Sequence, residues 1–324
     1  MTARQTTDYA SLLDEETWRF VERSDSFYPP DAVGLSIAEQ RRAYDRMCRA
    51  FHNGYPDGIA TEDIEVDAGS HNIPLRLYRS AASDVAKATI VYFHGGGFVL
   101  GGLESHDDVC AEICAGTGCD LISVDYRLAP ENRHPAAFDD ALDGYDWASR
   151  RRPLPLVLAG DSAGGNLAAA VAHAKRGRHN APIGQVLIYP SLGGDRSKGS
   201  YVAHAEAPML TLRDLAQSLE VRVGERRCER DPTLQPLADT DFSHLPPTVI
   251  VTAECDPLSS DGESYRDRIR QAGGRAVWID EKGLVHGYLR ARHTVKRAAE
   301  SFAHIVSAID ALAGREWPYE VEAA

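Results

Sequence analysis

Gly160-Asp161-Ser162-Ala163-Gly164-Gly165 sets a serine among glycines, directly after the apolar run Leu156-Val157-Leu158-Ala159 and directly before a helical run from Asn166 to Lys175. A strand that turns sharply into a helix presents such a serine above a sheet. The glycines let the backbone pass without side-chain clashes, and the helix N-terminus aims N–H groups at developing negative charge. A plain Gly/Ser-rich turn would not explain why strand, turn and helix all agree. A hydroxyl is a poor nucleophile at neutral pH, so the chemistry also needs a base, a group that orients the base, and donors for an oxyanion.

The donors are found upstream, where the apolar strand Thr89 to Phe93 runs into His94-Gly95-Gly96-Gly97. A glycine turn at a strand end can aim bare N–H groups at a carbonyl oxygen. No G-K-[ST] follows and no G-x-G-x-x-G fits, which sets a phosphate cradle aside. His94 is read as bracing this turn, because the partners of a serine on such an elbow follow it in the order acid, then histidine. That order leaves His286, His293 and His304. His293 and His304 fall in the helical pattern that ends the chain, whereas His286 lies in a loop after the strand Ala276 to Asp280, where a base can reach Ser162. For the acid, Asp256 follows the strand Thr248 to Ala253 and is preferred to Asp261, five residues on; the plain alternative makes either aspartate a helix cap.

These residues need a scaffold. The short continuous apolar runs Ala88–Phe93, Leu121–Val124, Leu156–Ala159, Val186–Tyr189 and Val249–Thr252, separated by helical patterns, predict a mostly parallel sheet covered on both faces. Ile64 and Val66, then Ile73, Leu75 and Leu77, alternate with polar residues and predict an antiparallel pair at one edge. Residues 1–55 read as helical around a break at Pro29-Pro30, and roughly 196–235 reads as an excursion out of the sheet, too long for a simple crossover. The expected division is a core of 56–195 and 236–324 with a helical cap from 1–55 and 196–235.

Composition narrows the partners. The 324 residues are 43% hydrophobic and 26% charged, which excludes a disordered or collagen-like chain. With 35 Lys and Arg against 48 Asp and Glu the net charge is −13, which argues against nucleic acid and anionic lipid as partners. The basic run Arg150-Arg151-Arg152 is read as a solvated helix end. No apolar stretch has the length of a membrane span, and Met1 to Glu16 lacks the pattern of a secretory leader, so the expected location is cytoplasmic. Six cysteines are too sparse for a disulfide scaffold, and Cys110, Cys114 and Cys119 match no zinc spacing; core packing is expected of them.

Four separated segments together resemble the bacterial hormone-sensitive-lipase-like (family IV) carboxylesterases of the α/β-hydrolase superfamily, GDSAG type. They are His94–Gly97, Asp125-Tyr126-Arg127-Leu128-Ala129-Pro130-Glu131, Gly160–Gly165, and Asp256-Pro257-Leu258 with His286-Gly287. The resemblance implies an α/β-hydrolase fold with a helical cap, Ser162 as nucleophile, Asp256 as acid and His286 as base, with the backbone N–H groups of Gly96, Gly97 and Ala163 as oxyanion donors. It implies no metal or organic cofactor. The expected partner is a small-molecule ester of short to medium acyl chain, and a homodimer through the last strand, Ala276 to Asp280, is a further expectation. An amidase or deacetylase on the same triad is the alternative enzyme. A non-catalytic small-molecule receptor is the alternative outside enzymes, although related receptors have lost the histidine that His286 supplies here. Cys255 beside the acid is not part of the family motif, and Phe98 and Leu100 could line the pocket or pack in the core.

Overall fold

The computed structural model describes residues 7–29, 34–81, 86–225 and 230–320; Pro30 of the expected break at Pro29-Pro30, and residues 1–6, 31–33 and 226–229 of the expected cap, lie outside them. The chain begins with α1 (Tyr9–Leu12), α2 (Glu15–Asp25) and α3 (Ile37–Phe51). The hairpin β1 (Ile59–Asp67) and β2 (Asn72–Ser80) follows, then β3 (Thr89–Phe93), α4 (Asp107–Thr117), β4 (Asp120–Val124), α5 (Ala136–Arg151), β5 (Leu156–Asp161), α6 (Ala163–Lys175) and β6 (Gly184–Ile188). Two helices, α7 (Ser200–Ala203) and α8 (Leu212–Val223), occupy the long excursion before β7 (Thr248–Cys255), α9 (Ser259–Gln271), β8 (Ala276–Val285) and α10 (Lys296–Ala313).

The eight strands form one sheet in the order β1-β2-β4-β3-β5-β6-β7-β8. As the alternating pattern predicts, β1 and β2 are antiparallel at one edge, with Ile64 opposite Leu75 and Val66 opposite Ile73. From β4 to β8 the neighbours are parallel. The inner strands β3 to β7 are buried on both faces because each face meets helices, whereas the edge strand β8 carries Asp280, Glu281 and Lys282. Ile90 and Tyr92 of β3 pack toward α2, α3, α4 and α10, while Val91 and Phe93 pack toward α5, α6 and α9. Cys110 and Cys114 of α4 lie in the first of these layers, buried as their spacing requires.

Local signals set the helix ends. Ser36 and Glu39 form a reciprocal capping box on α3, and Thr211 and Asp214 form another on α8. Arg150 and Arg151 end α5 in solvent, as expected; Arg152 instead turns back to pair with Asp120 at the start of β4. Among the described residues, no helix is long and apolar enough to cross a membrane.

Among the described glycines, the closest approach of neighbouring backbone is at the β5–α6 junction. A Cβ on Gly164 would overlap the Phe93 carbonyl, and one on Gly165 would come within 2.8 Å of Pro190 Cβ. Helix α6 therefore approaches the ends of β3 and β6 only because these positions are bare. Gly164→Ala is expected to lose at least about 2 kcal/mol in urea unfolding, whereas Gly34→Ala, where a Cβ meets nothing within 4 Å, should change stability by less than about 0.5 kcal/mol.

Candidate active site

Ser162 sits at the turn from β5 into α6 with φ 54° and ψ −114°. A serine pays strain to adopt such a backbone, and it is held there because its N–H donates to the Ile188 carbonyl at 2.8 Å and the next helical turn is already packed under β3. Its hydroxyl stands 2.9 Å from His286 Nε2, and His286 Nδ1 stands 2.7 Å from Asp256 Oδ2. A carboxylate only accepts, so Nδ1 carries the hydrogen and Nε2 is the free acceptor for the serine proton. The other Asp256 oxygen accepts from the Leu258 N–H at 2.8 Å, and the whole carboxylate is buried.

Strand register brings the acid and the histidine together. Thr252 pairs with Asp280 and Ala253 with Glu281, and then the ladder slips so that Cys255 pairs with Val285. Opposite the single residue Glu254 lie Lys282, Gly283 and Leu284, with Gly283 at φ 68° and its N–H held by Glu254 Oε2 at 2.9 Å. This bulge delivers Asp256 and His286, each the next residue, to the same place beyond the strand ends. Here the structure corrects the sequence expectation: β8 does not stop at Asp280 but runs to Val285, so His286 follows a strand directly.

The other candidates are accounted for. His304 is on α10 as expected, facing Glu281 in solvent; His293 lies before α10 rather than in it, and pairs with Glu112. Asp261 is turned away from His286. Its buried carboxylate accepts from the N–H groups of Leu192, Gly193 and Gly194 at 2.7, 3.0 and 3.2 Å and from the Tyr201 hydroxyl at 3.0 Å, fixing the loop from which the excursion departs.

The turn His94–Gly97 lies beside the serine. Gly96 and Gly97 have φ of 126° and 62°, and the Gly96 carbonyl accepts from Val99 and Leu100. Among the described residues the N–H groups of Gly96, Gly97 and Ala163 have no internal acceptor, and all three residues line the cavity that holds Ser162 and His286. Asp161 joins the two turns: its Oδ1 accepts from Gly95 N–H at 2.9 Å and from Tyr92 OH at 2.8 Å, and its Oδ2 faces His106 Nε2 at 3.3 Å. Burial would raise this carboxyl, but His106, the Tyr92 hydroxyl and the Arg290 charge outweigh burial and hold it well below the usual carboxylate range.

A family model described as the alpha/beta hydrolase fold matches residues 90–290, a span that contains every one of these residues. The chain belongs to the α/β-hydrolase family. This hydrolase is 32% identical over 287 residues to an ethyl acetate hydrolase of Pseudomonas putida, covering 85% of this chain and 90% of that one. It is 35% identical over 252 residues to the carboxylesterase NlhH of Mycobacterium tuberculosis, covering 74% and 79%. Among solved structures, an ester hydrolase from the metagenome of Lake Arreo superposes with a TM-score of 0.87 at 31% identity, covering 94% of this chain and 100% of that one. The hyperthermophilic esterase of Pyrobaculum calidifontis gives 0.84 at 30% identity, covering 93% and 99%. The family resemblance drawn from the four motifs is borne out.

The cavity of this hydrolase measures about 780 Å³, within the range of small-molecule sites. Phe98 and Leu100 both line it, and Phe98 is also packed in the core, 6% exposed, with the Arg222 guanidinium of α8 lying 3.3 Å above its ring centre. Sequence reading passed over Tyr189, whose ring packs against that of His286 with centroids 4.7 Å apart and planes tilted by 58°. Its place at the end of an apolar strand marked it only as core. His94, as expected, braces the turn: Nδ1 donates to the Gly95 carbonyl at 2.8 Å, and the ring stacks on Tyr126 with centroids 4.3 Å apart.

Burial, reinforced by His106, lowers the His94 pKa from 6.5 to about 4. Because the folded value lies below the ordinary one, the unfolded chain takes up the proton first as pH falls. The contribution of neutral His94 is therefore full above 6.5 and lost by about 4. The stability penalty of His94→Asn, measured by urea unfolding, should accordingly be smaller at pH 4.5 than at pH 7 by on the order of 2 kcal/mol.

Proposed function

We propose that this α/β-hydrolase is a hormone-sensitive-lipase-like carboxylesterase that transfers an acyl group from an ester to Ser162 and then to water. The observation that carries this reading is the unbroken relay from Ser162 Oγ through His286 to Asp256, at 2.9 and 2.7 Å, opening into the cavity. Two names among the relatives, ethyl acetate hydrolase and carboxylesterase, support it.

In the first half-reaction His286 Nε2 takes the serine proton as Oγ bonds to the ester carbonyl carbon. The carbonyl oxygen becomes an oxyanion, received by the N–H groups of Gly96, Gly97 and Ala163. The tetrahedral species collapses, the C–O bond to the alcohol breaks, and His286 returns its proton to the leaving oxygen. Water then enters by the same steps and releases the acid. Asp256 holds the tautomer and stabilises the imidazolium without taking the proton. Helices α2, α3 and α8 contribute cavity wall, which supports reading 1–55 and 196–235 as a cap over the core. A cavity of about 780 Å³ suits esters of short to medium acyl chain.

The test is hydrolysis of p-nitrophenyl esters from acetate to laurate. The expected profile peaks at a short or medium chain, and Ser162→Ala should lose on the order of 10⁴ to 10⁶ in kcat; a serine variant that keeps its rate would overturn the assignment. Asp256→Asn should lower kcat by roughly 10⁴, the effect of a wrong tautomer. Asp261→Asn should instead lower the melting temperature, because its amide turns N–H groups toward buried donors.

A further inference from the structure

The relay uses none of the three arginines of the cavity wall; Arg222 stacks on Phe98, Arg196 lies in the excursion after β6, and Arg290 is the one next to the base along the chain. Arg290 lies in the short turn Tyr288–Ala291, four residues after His286, and lines the same cavity as Ser162. Its guanidinium donates to the Ser105 carbonyl at 3.0 Å and to the Tyr44 hydroxyl, both neutral. Among the described residues it enters no ion pair, whereas Arg292, two residues on, is gripped by Asp108 and Glu112 at 2.6 Å each. The side chain is enclosed by protein atoms yet keeps accessible surface, and that surface opens onto the cavity it lines.

No carboxylate of the cavity wall forms an ion pair with Arg290. Asp161, the charge Arg290 feels through space, has its oxygens taken by Gly95, Tyr92 and His106, Asp214 caps α8, and Asp25 is exposed at the end of α2. A guanidinium is always charged, and out of water it gains from a counter-charge in direct contact. The group that completes it is a planar monoanion able to accept two parallel N–H bonds, a carboxylate.

We propose that Arg290 anchors a carboxylate carried by the substrate, so that the esters this cavity selects are half-esters of dicarboxylic acids or acyl esters of hydroxy acids. The proposal rests on the esterase reading and names the substrate class for the same site. The rival role for Arg290 is a structural peg that ties Tyr44 of α3 and the Ser105 turn to the turn after His286. A peg would affect neutral and anionic esters alike, and an anion anchor only the anionic ones.

The experiment compares kcat/KM by pH-stat for two matched pairs. Ethyl hexanoate and monoethyl adipate differ by a carboxylate on the acyl side; butyl butyrate and 4-(butanoyloxy)butanoate differ by one on the alcohol side. Wild type, Arg290→Met and Arg290→Lys are assayed, each variant normalised to its own neutral ester. In at least one pair the ratio of anionic to neutral rate should fall about tenfold or more in Arg290→Met and recover in part in Arg290→Lys. The wild-type ratio in that pair should also fall as salt is raised, and this salt dependence with the Arg290→Lys data decides the question should Arg290→Met fail to fold. The pair that responds tells which side of the ester lies against Arg290. Ratios unmoved by either substitution and by salt, with the neutral esters turned over, overturn the anchor and leave the esterase standing. No turnover of any ester by the wild type overturns both.

Discussion

A buried carboxylate one residue ahead of Ser162 holds the candidate site together. Asp161 ends β5, and its two oxygens bind the backbone of the glycine turn after β3, a tyrosine within β3, and His106 just before α4. The turn that presents the serine and the turn that offers bare N–H groups are thereby fixed to each other by one ionised side chain. In a medium of low polarity such bonds are strong, and the loss of a single partner is severe. The glycines around Asp161 follow from the same constraint: a Cβ on Gly95 would strike the Asp161 side chain, and one on Gly160 would strike the Phe93 and Gly164 carbonyls.

The second half of the site is organised by the ladder between β7 and β8. Parallel strands bring their carboxyl ends to one side of a sheet, but that alone does not align two particular residues. The three-for-one bulge opposite Glu254 does so, and it takes a glycine at positive φ and a carboxylate on the neighbouring strand to hold it. Tyr189, just past the end of the adjacent β6, then packs its ring against the imidazole.

The parallel sheet was legible in the chain because each strand is a short apolar run that must be covered on both sides, and the serine elbow because strand, glycines and helix are contiguous. The preference for Asp256 over Asp261 rested on position at a strand end, and the geometry explains the difference: Asp261 lies inside α9 and is spent on the loop at 192–194. What was not legible depends on distant partners. Asp280-Glu281-Lys282-Gly283 looks like the end of a strand, because the hydrogen bond that carries the strand past it comes from Glu254 on a neighbour. Tyr189 and Arg290 carry no local signal at all; a tyrosine at the end of an apolar run and an arginine in a basic stretch become informative only once the fold places them on one cavity.

The stacking of Arg222 on Phe98 ties the excursion to the chemistry. Phe98 immediately follows the glycine turn, and the guanidinium above it comes from α8, which lines the same cavity. On the proposed mechanism, access and oxyanion binding therefore share a part. A molecule large enough to displace α8 would also disturb the neighbour of the bare amides, and would be sorted by turnover as well as by fit.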